Sequence, residues 1–468
     1  MPDAEPLWTS AEIEFATSGQ LSGPAFAATG LTYNSREIAP GDLFLALQGA
    51  RDGHDFAEAA FAAGAAGALV ERPVAGGPSV VVADTLKGLE ALGAAARDRA
   101  PQCRRGAVTG SVGKTSVTQA IRAGLDLAGR AHGSIKSYNN HIGVPLTLAR
   151  MPRETERAVF EIGMNAPGEI APLSRQVMPH AACVTTVGPV HIEAFRDGEA
   201  GVAREKAAIF DGLVEGGAAI FNADNAYASL LDETAARVDA RRMRFGSEAG
   251  CDARLIDFQP FDGGARVTAE LFGKPLDFAL AQSGHHWGLN SLCVLLMLDA
   301  LDVPVETALA ALADFRPLAG RGQVTEVAAP GGTFTLIDES YNANPLSMAA
   351  GFRSLGARPA KGRRVVVLTD MLELGDRSLE LHQGLAEPIE AAGLDMVHTA
   401  GPEMKALHDS LPQSRRGLWR ETAAALAAEA DVLAGAGDVV MVKGSNGSKA
   451  SLVAKALAAL GEGSGGAA

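Results

Sequence analysis

The sequence predicts an α/β protein of three domains, with a central parallel-sheet domain of the phosphate-loop type and a Rossmann-like C-terminal domain. Three observations carry this. At 468 residues the chain exceeds what one hydrophobic core normally organises. Short apolar runs alternate with helical stretches, the pattern of parallel strands covered on both faces. Aromatics make up only 5% of the residues while glycine contributes 54, which suits closely packed helices and glycine turns better than an all-β sandwich.

Residues 1–100 hold a turn at Ala39-Pro40-Gly41-Asp42 before the apolar run 43–47, then an alanine-rich helix and the strand-like Ser79-Val80-Val81-Val82. The second domain, 101–316, opens with a short strand over 105–109, a glycine loop and a helix continuing through 117–128. Residues 157–162 and 181–187 are its further buried strands. The third domain, 317–468, repeats the theme at 334–338, 364–369, 395–400 and 438–443. Each of these runs ends in polar or glycine residues, as strands feeding a binding crevice do. No fixed-period repeat is present. The Gly/Ser/Ala-rich tail 461–468 has a composition expected to be disordered.

The formal charge of −14, with no long Lys/Arg run, excludes the electrostatic footprint of a nucleic-acid binder and points to small-molecule substrates. Cys103, Cys183, Cys251 and Cys293 are far apart and read as buried thiols in a reducing cytosol. Met1 to Glu5 is acidic where a secretory signal would be basic. The longest uncharged stretches, 59–70 and 292–298, fall short of the roughly 20 residues of a membrane helix. A cytoplasmic, monomeric chain without a transmembrane segment is expected.

The loop Thr109-Gly110-Ser111-Val112-Gly113-Lys114-Thr115-Ser116 carries the first chemistry. A glycine turn between strand and helix exposes backbone N–H groups at the positive end of the helix dipole, which stabilises a polyphosphate. Lys114 is expected to reach the β/γ-phosphates and Thr115 to bind Mg²⁺. The spacing departs from the usual pattern, because Val108 stands where a further glycine is customary. Kinases, motors, GTPases and ligases all use such a loop, so it establishes only nucleotide binding.

Functional groups of an open parallel sheet gather beyond the carboxyl ends of its strands. Glu161 ends one strand and His191 follows another, so with Thr115 they form an oxygen, oxygen, nitrogen set facing the triphosphate, for which Mg²⁺ is the natural ion. Taken alone, a strand-end glutamate is an ordinary solvated charge and a lone histidine an ordinary surface residue. Lys206, in the helical stretch 199–213, reads on composition alone as a surface lysine.

Together these residues resemble the Mur ligases of peptidoglycan synthesis over nearly the whole chain. The resemblance includes Asn34-Ser35-Arg36 with Pro40-Gly41-Asp42-Leu43-Phe44, the phosphate loop, and Tyr138-Asn139-Asn140-His141-Ile142-Gly143-Val144-Pro145. It continues through Glu161-Ile162-Gly163-Met164-Asn165, Gly168-Glu169-Ile170, His191 and Lys206. The later part adds residues 284–290, Gly320-Arg321, Asp338-Glu339-Ser340-Tyr341-Asn342-Ala343-Asn344-Pro345, residues 370–375 and Lys443-Gly444-Ser445. Ser340 to Pro345 is the most discriminating piece, since the branch that adds the third residue carries an Asp-Asn-Pro-Arg signature there. The dipeptide-adding branch is favoured.

The resemblance implies ATP-dependent ligation of D-alanyl-D-alanine to UDP-N-acetylmuramoyl-tripeptide through an acyl phosphate. It assigns UDP-substrate binding to residues 1–100, ATP binding to 101–316 and the amino acceptor to 317–468. Thr115 and Glu161 would serve one Mg²⁺, with His191 and a carbamylated Lys206 serving a second. Asn290 matches an adenine contact, Asp338 a ribose contact and Arg321 an arginine approaching the phosphates. Ser35 and Arg36 fall in the UDP-recognising segment, and Asn140, Tyr341, Asn342 and Asn344 are expected at the substrates. Asn342, Asn344 and their neighbours permit either diaminopimelate or lysine in the tripeptide. A hinge at 317–322 would let the last domain close over the middle one and exclude water.

Two residues depart from the family pattern. Trp287 stands where many relatives have asparagine, which predicts aromatic stacking near the base. Asn446 stands where arginine is common. The alternatives are another Mur-type or folylpolyglutamate-type amide ligase and a nucleotide-binding regulatory module, the latter needing Lys114 but not Lys206.

Overall fold

The computed structural model describes residues 6–134, 137–261 and 263–461. Residues 1–5, read above as lacking a signal, and tail residues 462–468 lie outside the described residues. Four sheets are present among the described residues.

The largest has nine strands, in the order Lys274–Leu280, Gly264–Leu271, Ala253–Phe261, Arg241–Gly246, Ala218–Asn222, Ala181–Val184, Arg104–Thr109, Arg157–Glu161 and Ala131–Gly133. Period-two alternation divides its residues between two cores. Val108, Val159, Cys183 and Ile220 enter one core, with helices Lys114–Ala128, His286–Ala300 and Val305–Asp314. Ala107, Phe160, Val184 and Phe221 enter the other, with helices Gly143–Ala149, Ile170–Val177 and Glu199–Ala207. Helix His286–Ala300 buries most of its circumference, Leu292 to Leu298 included, which explains its uninterrupted apolar sequence. Each of those leucines contributes about 1.5–3 kcal/mol by leaving water.

The parallel sheet expected for the central domain is present and carries an antiparallel extension. Strands Ala253–Phe261, Gly264–Leu271 and Lys274–Leu280 pair antiparallel and extend the parallel part at one edge. Strands Gly264–Leu271 and Lys274–Leu280 largely alternate more and less buried residues and Ala253–Phe261 exposes most of its second half, because one face meets the core and the other meets solvent, so they present no apolar run.

The last sheet has six strands, in the order Gln323–Ala329, Gly332–Glu339, Val439–Lys443, Arg364–Thr369, Met396–Ala400 and Arg416–Arg420. It is parallel except for the first pair. The first sheet orders Gln20–Ser22, Ser79–Val81, Gly67–Val70, Asp42–Leu45 and Gly30–Thr32. The expected turn before Leu43 is present, with Gly41 at φ +92° and Asp42 N donating to Ala39 O.

The uncharged stretch 59–70 divides into parts of helix Ala57–Ala62 and strand Gly67–Val70. Among the described residues no helix is long and apolar enough to cross a membrane. All four cysteines are free, and Cys251 differs from the expectation in being only partly buried.

Candidate active site

The phosphate loop is built by backbone geometry that few residues tolerate. Gly110 sits at φ +150°, and a Cβ there would lie 1.9 Å from Thr185 Oγ1. Gly113 begins helix Lys114–Ala128 at φ +88°. The loop is stitched to the segment after strand Ala181–Val184. Thr185 Oγ1 donates to Val112 O at 2.6 Å, and Ser111 N donates to Thr186 O at 2.8 Å. Ser111 Oγ donates to Gly188 O and accepts from Gly188 N, at 3.0 and 2.9 Å. Thr115 is buried at the first turn and Ser116 is half-buried. Lys114 Nζ folds back to donate to Gly110 O at 2.7 Å. Burial pushes its pKa down, Glu161 opposes that, and Arg321 adds to it.

Glu161 ends strand Arg157–Glu161, opposite Val108, and is only 1% exposed. Its Oε1 accepts from Asn139 Nδ2 at 2.6 Å, whereas Oε2 is buried with no hydrogen-bond partner. An orphaned carboxylate oxygen is costly, and a hard cation would satisfy it. Lys206 is no surface residue. It is 1% exposed, and burial, then Lys114, hold its pKa well below the ordinary lysine value. A neutral buried amine is a nucleophile, the form that adds carbon dioxide. His191 has a left-handed backbone at φ +54°, and its Nδ1 lies 2.7 Å from Glu373 Oε2. Burial lowers its pKa, Glu373 raises it, and Lys114 and Lys206 lower it further.

Lys114, Glu161, His191, Lys206 and Arg321 therefore share one electrostatic neighbourhood. Among the described residues no three His, Cys, Asp or Glu side chains gather as a ready metal cluster. A divalent ion here would need the Thr115 hydroxyl and an oxygen added to Lys206, and the orphaned Glu161 oxygen and a Lys206 amine whose charged form burial disfavours fit that requirement.

Asn290 adjoins the loop, since a Cβ on Gly113 would lie 3.5 Å from its side-chain amide. The Arg321 guanidinium lies 3.9 Å from the Tyr341 ring centroid, and the Tyr341 hydroxyl reaches Ser137 Oγ at 2.8 Å. Asp338 Oδ1 accepts from Ser340 N at 3.0 Å. Asn342 O accepts from the buried Lys443, which also pairs with Glu339. The amide oxygens of Asn140 and Asn344 are used by the fold, Asn140 accepting from Gly143 N and Asn344 capping helix Pro345–Gly356. Ser35 and Arg36 stand apart on an Asx turn beyond strand Gly30–Thr32, where Arg36 N donates to Asn34 Oδ1.

A cleft of about 170 Å³ joins Ser111, Lys114 and His191 to Asn342, Asn344, Glu373 and Asn446. A second cavity, of about 420 Å³, lies between Arg99, Arg104, Arg130, Arg153 and Arg157, away from the loop. Carbonyls and carboxylates already engage those guanidinium groups.

Asn139, Glu373 and Lys443 lay inside motifs quoted above, yet nothing in the sequence singled them out. Trp287 corrects the stacking expectation. It is 3% exposed, with its ring centroid 5.6 Å from that of Phe315 inside the core. The small residue that follows, Gly288, lets Leu255 and Phe258 approach the same helix turn. Trp287→Ala is expected to lower unfolding free energy by about 3–5 kcal/mol in urea denaturation. A loss below about 1 kcal/mol would contradict a core role.

The chain matches the family descriptions "Mur ligase family, catalytic domain" over residues 27–112, "Mur ligase middle domain" over 108–298 and "Mur ligase, glutamate ligase domain" over 320–446. It is 35% identical over 402 residues to the UDP-N-acetylmuramoyl-tripeptide–D-alanyl-D-alanine ligase of Escherichia coli strain K12, covering 85% of this chain and 87% of that protein. The crystal structure of MurF from Acinetobacter baumannii superposes with a TM-score of 0.85 at 27% identity, covering 97% of this chain and 99% of that one. MurF ligase from Thermotoga maritima in complex with ADP gives 0.80 at 26% identity, covering 93% and 98%.

Proposed function

This chain belongs to the Mur ligase family, and from that premise we propose that it joins D-alanyl-D-alanine to UDP-N-acetylmuramoyl-tripeptide in an ATP-driven amide synthesis. The observation that carries the substrate choice is the 35% identity, over 85% of the chain, to a ligase named for that reaction. The product is the pentapeptide precursor of peptidoglycan, with ADP and phosphate released. Two small-molecule substrates and a single chain suffice, and the reaction belongs in the cytoplasm, where ATP is made.

In this reading an oxygen of the tripeptide carboxylate attacks the γ-phosphorus of ATP, the bond to the β-phosphate oxygen breaks, and ADP leaves. The amine of D-alanyl-D-alanine then attacks the acyl carbon and loses a proton as phosphate departs. Lys114 and the loop Gly110 to Ser116 hold the phosphates and stabilise charge developing on the transferring group, through loop N–H groups other than that of Ser111, which is committed to Thr186 O. Two Mg²⁺ ions, when bound, supply further neutralisation of that charge. Thr115 and Glu161 would hold one, and His191 with a carbamylated Lys206 the other. Arg321 approaches the phosphates from the module junction, Asn290 and Asp338 serve the nucleoside, and Ser35 and Arg36 serve the UDP group. Of the substrate-side residues, Tyr341 and Asn342 contribute from the last module. Asn140 and Asn344 act by shaping the backbone, the amide oxygen of Asn140 accepting from Ile142 N and Gly143 N and that of Asn344 capping helix Pro345–Gly356. We take residues 1–100, 101–316 and 317–468 as the three domains that divide these tasks.

The test is substrate-dependent phosphate release with ATP, UDP-N-acetylmuramoyl-tripeptide and either D-alanyl-D-alanine or single amino acids. Release and a pentapeptide product with the dipeptide are expected. Turnover with a single amino acid alone would overturn the assignment in favour of another amide ligase. Running diaminopimelate- and lysine-containing tripeptides side by side determines the preferred donor.

A further inference from the structure

The segment carrying His191 is gripped by the last module at three successive points. Leu346 abuts Gly188 so closely that a Cβ on Gly188 would lie 1.8 Å from Leu346 Cδ1. Glu373 Oε2 stands 2.7 Å from His191 Nδ1. Gly375, at φ +58°, packs on Glu193, where an added Cβ would come within 3.0 Å of Glu193 Cβ. Both partners of the central contact have left-handed backbones, His191 at φ +54° and Glu373 at φ +62°. Non-glycine residues adopt that conformation at a cost, and they keep it where surrounding contacts hold it.

The chemistry of the contact decides what it does. A carboxylate only accepts hydrogen bonds, so a neutral imidazole facing it must carry its proton on Nδ1. The other ring nitrogen, Nε2, is then left with a free lone pair. Outer-shell carboxylates hold histidine ligands in this way. Here the carboxylate arrives from residue 373, across the junction, while Lys114 and Lys206 of the middle segment lie close enough to act electrostatically on the same ring.

We propose that Glu373 is a positioning residue supplied by the last module, which locks His191 in the Nδ1–H tautomer so that Nε2 is available as a ligand only while that module is docked. Docking and assembly of the phosphate-side site are thereby one event. The inference rests on the reading of His191 as a Mg²⁺-side residue.

The test uses full-length protein labelled with ¹⁵N-histidine, with the His191 resonances assigned by their absence in His191→Ala. The wild type should show a single Nδ1–H tautomer at His191. Glu373→Ala should release it to a mixture, and should weaken Mn²⁺ binding in the presence of ADP, followed by electron paramagnetic resonance, about 10- to 100-fold. The Glu373 side chain is 58% exposed, so an unchanged melting temperature is expected for this variant. If His191→Ala weakens Mn²⁺ binding but Glu373→Ala changes neither tautomer nor affinity, the proposal is overturned while the metal reading stands. If His191→Ala leaves Mn²⁺ affinity intact, the metal reading fails and the role proposed for Glu373 fails with it.

Discussion

Lys114→Ala is expected to lower kcat/KM for ligation by at least about 10²–10³-fold, the effect of removing one preorganised donor from a transition-state charge. The Lys114 amine donates to Gly110 O at 2.7 Å, at the mouth of a loop tied by hydrogen bonds to Thr185, Thr186 and Gly188. No neighbouring cation can replace it. Arg321 is stacked on Tyr341, and Lys206 is fully buried. The fold should not suffer much, since burial and Arg321 disfavour the charged Lys114, which offsets what its removal loses in attraction to Glu161 and in the hydrogen bond to Gly110 O. Melting temperature close to that of the wild type, together with lost pentapeptide synthesis, is the expected pair of results. A kinetic loss below tenfold would sink the role assigned to Lys114.

Lys206→Ala should be comparably damaging and, unlike Lys114→Ala, partly reversible. The amine is buried beside Lys114, and both burial and that neighbour favour its uncharged form. An uncharged amine can attack carbon dioxide, forming an N–C bond and losing a proton to give a carbamate, so a cation becomes an oxygen donor suited to a hard ion. Short carboxylic acids such as formate or acetate placed in the space left by alanine should restore part of the turnover. Wild-type protein supplied with ¹³C-bicarbonate should show a carbamate carbon resonance that is missing from the variant. Full activity of Lys206→Ala without added acid would remove the basis for this assignment.

The two residues differ in how far local pattern exposes them. Lys114 is legible because strand, glycine turn and helix follow one another within a dozen residues, and the helix N-terminus must face whatever lies beyond the strand. Lys206 is not, because residues 199–207 form a helix with little segregation of polar and apolar faces. What buries it is contributed by residues distant in sequence. The same holds for Trp287. Family pattern places it beside a base, but the Phe315 ring and the surrounding core take it inward. The strands 253–280 are hidden for a different reason, since a half-exposed edge carries no continuous apolar run of the kind that marks a buried parallel strand.

By itself the sequence determined the α/β class, the phosphate loop, the strand ends bearing Glu161 and preceding His191, and membership of a ligase family. Each of these depends on short-range geometry, the two-residue strand period or the glycine positions of a turn, or on motifs that survive as linear strings. Only the tertiary structure decided that Glu161 keeps an unpartnered oxygen, that burial pushes the Lys206 pKa well down, that Asn344 is committed to a helix cap, and that Glu373 meets His191. Desolvation and pairing depend on which groups converge from separate modules. His191 and Glu373 are joined by a contact across a junction, and no local periodicity encodes that distance.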